Sequence, residues 1–301
     1  MLKIYRDIHQ IAAEFKGILL DAYGVFWGGN DYGPLPNAKE AMAKLIEDGK
    51  VVGILSNSSQ LAAKEIHKLQ MHGFIQGLHF HFLLTSGEVA RSIFFNEALP
   101  FPTPKKKFWV FGGIHPRFSS HAPLFYETSY TETSDVEKAD FIHIGIPHIG
   151  GEDQTNPEVF RQFLEPLRKI DLPMICVNPD CFAHEGNPPR AVVRQGTIAA
   201  LFESLGGKVH YIGKPYEKGF SLAMDLFRQQ KIQSFKEVIM VGDTPETDIR
   251  GARNFGLASA LITQTGVAAD RIRQQGLENV LRSLPQSDYP NFLVERLAND
   301  V

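Results

Sequence analysis

The stretch Gly17–Gly29, GILLDAYGVFWGG, runs through four small or apolar residues, reaches a single acid and turns at once. An apolar run that ends in Asp-x-x-Gly predicts a buried strand over 17–21 that stops at a turn, with Asp21 at its carboxyl end. In open α/β sheets that edge is where ligands bind. Working outward, apolar runs alternate with helical periodicity: helix 3–15, helix 37–48, strand 51–55, helix 60–72, strand 81–84 and helix 86–96. Strands separated by helices imply parallel pairing through crossovers, an α/β class with a Rossmann-like, doubly wound parallel sheet.

The texture changes near Pro100. The Pro- and Lys-rich segment LPFPTPKKKF (99–108) leads into strand FWVFGG, an irregular stretch, and strand DFIHIGIP (140–147). Helix 157–169, strand PMICVN (173–178) and helix 195–205 follow, so this region reads as a second, smaller α/β layer inserted into the first. Strand VHYIG (209–213), helix 217–230, EVIMVGD (237–243) and ASALITQTG (258–266) resume the first pattern. The expected organisation is a discontinuous core, 1–86 and 207–301, with an inserted cap over 87–206. An insert at the mouth of such a sheet is expected to act as a lid.

The chain has 301 residues, 43% of them hydrophobic, enough for a sizeable core. Its 31 basic and 34 acidic residues are interspersed and sum to a net charge of −3, which gives no general attraction to nucleic acid or anionic lipid. No stretch approaches the ~20 apolar residues of a membrane span, and the N-terminus lacks the apolar run of a secretion signal. The two cysteines, Cys176 and Cys181, flank Pro179 closely enough to meet; low cysteine use suits a reducing compartment, and a cytoplasmic location is expected.

Four segments at predicted strand ends carry chemistry. Asp21 is placed to attack phosphorus as a nucleophile. In GILSNSS (53–59), Ser56 and the N–H groups of Asn57 and Ser58 lead toward a helix and suit an anion. In IGKP (212–215), Lys214 offers a charge to neutralise a transferring phosphoryl group. In MVGDTPETDIRGA (240–252), Asp243 ends a strand and Asp248 follows five residues on. Acids gathered around a phosphate need a cation, and Mg²⁺ takes carboxylate and phosphate oxygens. Each piece alone has an ordinary reading as a turn, cap or surface residue; their common order and placement favour the functional one.

The order and wording of these segments resemble the haloacid-dehalogenase superfamily, specifically its class IIA, NagD-like or 4-nitrophenylphosphatase-like branch, in which a C2-type α/β cap is inserted between the second motif and the lysine. PLPNAKEAMAKLIEDGKVVGILSNSS, TSGEVA (85–90), NPD (178–180) and TDIRGARNFGLASALITQTG share the likeness. The resemblance implies a Mg²⁺-dependent phosphatase acting on a small phosphorylated metabolite through an aspartyl-phosphate on Asp21. Ser56 and Lys214 would then hold phosphoryl oxygens. The metal would lie on Asp21, Asp243 and the Tyr23 carbonyl, with Asp248 beside it, and caps of this class often meet in homodimers.

Tyr23 departs from the pattern, because phosphatases of this superfamily carry an Asp there that protonates the leaving oxygen. Such general acid–base help is typically worth ~10²–10⁴-fold. With a reference pKa of about 10 a tyrosine is a poor base at neutral pH, so a slow enzyme, or one suited to acyl or aryl phosphates, is expected. A tyrosine at this position also occurs in 2-haloacid dehalogenases, the alternative reading; Asp243 and Asp248 argue against it, since buried carboxylates without a cation repel. A catalytically weak phosphometabolite-binding protein is the third reading. In the insert, Asn178, Asp180 and His184, read as one loop, are candidates for substrate contact. His143 and His148 are weaker candidates for a metal pair.

Overall fold

In the computed structural model, which describes residues 2–29, 31–118, 120–186 and 190–298, the chain divides into two compact units. One comprises Met1–Ser56, Ala63–Leu84 and Lys214–Val301, the other Asn57–Ala62 and Thr85–Gly213. With strands numbered along the whole chain, the first unit is built on β1 (Ile4–Tyr5), β2 (Gly17–Leu20), β3 (Val51–Ser56), β4 (Phe82–Thr85), β12 (Val238–Gly242), β13 (Ala258–Ile262) and β14 (Phe292–Val294). They lie in the order β1-β14-β13-β12-β2-β3-β4. The pairs from β1 through β3 are parallel.

Strands covered on both faces read as continuous apolar runs, which is why GILL and VIMVG are buried at every position. At Gly53, within β3, a Cβ would sit 2.2 Å from the Phe82 ring. Glycine there admits the far end of the Phe82 ring close to the β3 backbone. Helix α2 (Ala38–Glu47) turns Ala38, Ala41, Met42 and Leu45 inward, the spacing of one buried face.

Register places the chemistry. Leu20 lies opposite Val241 on one side and Ile54 on the other. The residues that follow, Asp21, Asp243 and Ser56, therefore emerge at the carboxyl ends of three adjacent strands.

Two expectations are corrected here. Residues 3–15 do not form one helix: Ile4 and Tyr5 pair with Leu293 and Val294, and only α1 (His9–Ala12) is helical. The partner of this edge strand lies near the other end of the chain, so local periodicity cannot report it. The expected resumption of the core at VHYIG also fails. That segment forms β11 (Val209–Tyr211) and pairs with β8 (Met174–Cys176) in the second unit. An apolar run signals a strand without saying which sheet receives it, and the second unit extends to Gly213.

The second unit holds a parallel sheet in the order β11-β8-β7-β5-β6, with β5 (Lys107–Phe111), β6 (Thr131–Glu132) and β7 (Phe141–Ile144). Helices α5 (Arg161–Arg168) and α6 (Gln195–Ser204) pack Leu164, Leu167, Ile198 and Phe202 against Ile142, Ile144 and Met174. A two-stranded hairpin joins β9 (Phe182–Glu185) to β10 (Arg190–Val193). His184 thus sits in a strand opposite Ala191, not in a loop. Cys176 and Cys181 form no disulfide. Among the described residues, no helix is long and apolar enough to cross a membrane.

Candidate active site

The strand that carries Asp21 ends against its neighbour, the Asp21 N–H donating to the Val241 carbonyl at 2.9 Å. One residue past β12 stands Asp243, and the chain then makes a π-helical turn, Pro245–Ile249. This turn carries Asp248 back to the strand end, where its Oδ2 accepts from the N–H groups of Asp243 (3.1 Å) and Thr244 (3.0 Å). A Cβ at Gly242 would lie 2.2 Å from the Asp248 side chain, so glycine is the residue that admits this approach. The "GD" of the sequence is the visible half of that device; the wide turn has no sequence signature.

Lys214 closes the cluster. It is 1% exposed, and its Nζ lies 2.5 Å from Asp21 Oδ1 and 2.7 Å from Asp248 Oδ1. A buried ammonium is tolerated only with such partners. Asp21, Asp243 and Asp248 each place a carboxylate oxygen within 4.8 Å of the others. Three acids thus face one lysine. Burial pushes the Asp248 carboxyl up to about 6 despite Lys214, and the Asp21 charge adds to the rise.

The donor set is hard oxygen, the ligand type that Mg²⁺ prefers, and the excess of acid over base is what a divalent cation would balance. The surroundings of Asp243 fit the same reading. Its Oδ2 accepts from the Val267 N–H at 2.6 Å and its Oδ1 from the Thr244 hydroxyl at 3.1 Å, which fixes the carboxylate. Gly24 and Gly266, both at positive φ, press against it: added Cβ atoms would lie 2.4 Å and 1.9 Å from Asp243 Oδ2. Gly266→Ala is therefore expected to cost about 1–3 kcal/mol and to weaken Mg²⁺ binding. Gly256 also has positive φ but has nothing within 4 Å of its Cβ position. Gly256→Ala should pay the conformational cost alone, and chemical denaturation with Mg²⁺ calorimetry on both variants separates the two effects.

Tyr23 is held by groups that sequence reasoning missed. Lys68 Nζ donates to the Tyr23 hydroxyl at 2.8 Å, pairs with Glu65 at 2.5 Å and lies over the Tyr23 and Trp27 rings, 5.0 and 5.2 Å from their centroids. Burial opposes the Lys68 charge, yet Tyr23 and Glu65 outweigh it and hold the ammonium above the usual lysine range. In the sequence, Glu65 and Lys68 are an i,i+3 pair on a helix, indistinguishable from an ordinary solvated ion pair.

Ser56 ends β3, buried at 4% exposure. The remaining candidates lie in the second unit, where Asn57, Asn178 and Asp180 come together. Asn57 Nδ2 donates to Asp180 Oδ1 at 2.8 Å, the Ser86 hydroxyl donates to Asn57 Oδ1 at 3.1 Å, and the Asp180 N–H donates to Asn178 Oδ1 at 2.9 Å. These side chains tie three chain segments into one network. The Ser58 hydroxyl accepts from the Gln60 N–H at 3.2 Å. His184 is carried by β9. His143 and His148 do not pair with each other: the His143 ring lies 5.4 Å from that of His121, and the His148 ring 4.9 Å from that of His115.

Residues 18–117 match a family model described as haloacid dehalogenase-like hydrolase, and residues 211–287 match one described as HAD-hydrolase-like. The chain is 24% identical to chronophin of Bos taurus over 294 residues, covering 97% of this chain and 94% of that protein. It is 22% identical to a 4-nitrophenylphosphatase of Schizosaccharomyces pombe over 323 residues, covering 97% and 95%. The crystal structure of a haloacid dehalogenase-like hydrolase from Brucella suis 1330 superposes with a TM-score of 0.78 at 20% identity, covering 97% of this chain and 99% of that one. The two family models span the segments that supply Asp21, Lys214, Asp243 and Asp248, and the chain is a haloacid dehalogenase-like hydrolase.

Proposed function

We propose that the protein is a Mg²⁺-dependent phosphohydrolase of class IIA, acting on a small phosphorylated metabolite through an aspartyl-phosphate on Asp21. The observation that carries this reading is the buried Lys214 bridging Asp21 and Asp248, with Asp243 in the same cluster. A lysine held there sets the nucleophile's orientation and offers its charge to the transferring phosphoryl group. The kinship with a 4-nitrophenylphosphatase supports phosphate over halide.

In the proposed reaction the Asp21 carboxylate attacks phosphorus, the ester oxygen leaves and takes a proton, and water then cleaves the acyl phosphate to restore the carboxylate and release phosphate. Ser56, with the N–H groups of Asn57 and Ser58, would hold phosphoryl oxygens. Mg²⁺, held by Asp21, Asp243 and the Tyr23 carbonyl, would neutralise charge on those oxygens. Asp248 positions Lys214 and the turn after β12. Tyr23, hydrogen-bonded to Lys68, stands where a carboxylic acid would otherwise serve the leaving group, which favours substrates with good leaving groups.

A screen of aryl, acyl and alkyl phosphates and of 2-haloacids, with and without Mg²⁺, tests the reading. Phosphate release that requires Mg²⁺ is expected; halide release without metal would replace the proposal with the dehalogenase reading. Tyr23→Asp should accelerate alkyl phosphate hydrolysis by ~10²-fold while changing aryl phosphates little. An unchanged alkyl rate would mean that leaving-group protonation does not limit turnover.

A further inference from the structure

Asp248 reaches the strand end through the wide turn Pro245–Ile249, and one residue closes that turn. The Arg250 backbone N–H bonds to the Pro245 carbonyl five residues back, the contact that makes the turn π-helical. Single wide turns of this kind are rare, and closure four residues back is the ordinary alternative. There is little slack in the arrangement. Asp248 lies so close to β12 that a Cβ at Gly242 would meet it at 2.2 Å, and its contacts to Lys214 and to the Asp243 and Thr244 amides run from 2.7 to 3.1 Å. Whatever holds Arg250 therefore decides whether Asp248 stays aimed.

The Arg250 side chain is gripped by a segment far along the sequence. Its Nε donates to Asp288 Oδ1 at 2.7 Å and its Nη2 to Asp288 Oδ2 at 2.6 Å, a two-pronged pair of guanidinium and carboxylate. Asp288 is fully buried. A carboxylate taken out of water needs partners for both oxygens, and the planar guanidinium fork supplies them. The same charge holds the Arg250 guanidinium above its usual range. Asp288 is itself anchored, because its segment is tied to β13: the Ser259 N–H donates to Asn291 Oδ1 at 2.9 Å and the Asn291 N–H to the Ser259 carbonyl at 3.0 Å.

The turn has another ion pair, Glu246 with Arg271, but those side chains are 38% and 40% exposed, against 1% for Asp288. Exposed pairs contribute little, whereas a buried carboxylate is stranded when its partner goes. Asp288 is accordingly the stronger anchor.

We infer that Arg250 and Asp288 are positioning residues for the acid–lysine cluster: their pair fixes the N–H that closes the π turn and so holds Asp248 against Lys214. Its effect on turnover rests on the phosphatase reading, whereas the mechanical link from Asp288 to Asp248 does not.

Steady-state hydrolysis of 4-nitrophenyl phosphate with Mg²⁺, beside denaturant unfolding of the full chain, tests the inference. Arg250→Lys keeps the charge and loses the fork, so kcat should fall about tenfold with KM changed less than twofold. Asp288→Asn should do the same, and Arg271→Lys, the matching change in the exposed pair, should leave kcat within twofold. In an Asp248→Asn background Arg250→Lys should lower kcat less than twofold, because the group it positions is already altered. Lost stability with kcat retained would make the pair merely structural and overturn the inference. Equal kcat losses in the two backgrounds, or an equal loss in Arg271→Lys, would overturn it too. If the unaltered protein hydrolyses no phosphate ester, the phosphatase reading fails and unfolding decides alone. Asp288→Asn should then shift the unfolding constant at least fivefold less in the Asp248→Asn background, and additive shifts would break the link.

Discussion

Asp21→Asn is expected to reduce phosphate release by at least ~10⁴-fold while leaving the protein folded, because the amide keeps the shape of the carboxylate and loses its nucleophilicity. The cluster explains why folding should survive. Lys214 keeps its 2.7 Å partner in Asp248, and one of three crowded negative charges is removed. The melting temperature should therefore change by only a few degrees. Phosphate release, circular dichroism and thermal unfolding on the same preparation check this together; an active, well-folded Asp21→Asn protein would remove Asp21 from the nucleophile's place.

Lys214→Met is expected to damage both stability and activity. Its ammonium is buried and compensates Asp21 and Asp248, so removing it strands two carboxylates facing one another and should cost about 3–5 kcal/mol. The loss should be strongly non-additive with Asp248→Asn, since the second substitution removes one of the stranded charges. Mg²⁺ should recover part of the lost melting temperature, because a bound cation replaces the missing positive charge and stabilises the folded state by mass action. Activity should not return with it, because the lysine contact to the phosphoryl group stays absent. Additive effects of Lys214→Met and Asp248→Asn in denaturant unfolding would show that the two groups act independently.

Much of the first unit is legible in the sequence because its strands are buried on both faces and bounded by sharp turn signals. GILL ending at Asp21 and VIMVG ending before Asp243 are continuous apolar runs that no helix or exposed strand requires. The acids and the lysine are recognisable for a related reason, as polar residues immediately after such runs. What escapes the sequence is pairing between distant segments. Ile4–Tyr5 is a strand only because Leu293–Val294 receives it, and Val209–Tyr211 belongs to the second unit only because Met174–Cys176 lies beside it.

The same division runs through the candidate site. By itself the sequence determined the α/β class, the strand ends at Asp21 and Asp243, and the supply of oxygen ligands and one lysine, because those follow from local hydrophobic patterning. Only the tertiary structure decided that Lys214 sits buried between Asp21 and Asp248, that the π-helical turn aims Asp248 back at the Asp243 and Thr244 amides, and that Lys68 holds the Tyr23 hydroxyl. It also set the Arg250 guanidinium against the buried Asp288, 38 residues along the chain. Local patterning acts over a few residues, whereas a buried charge or an anchored turn is defined by which distant groups the folded chain brings within hydrogen-bonding reach.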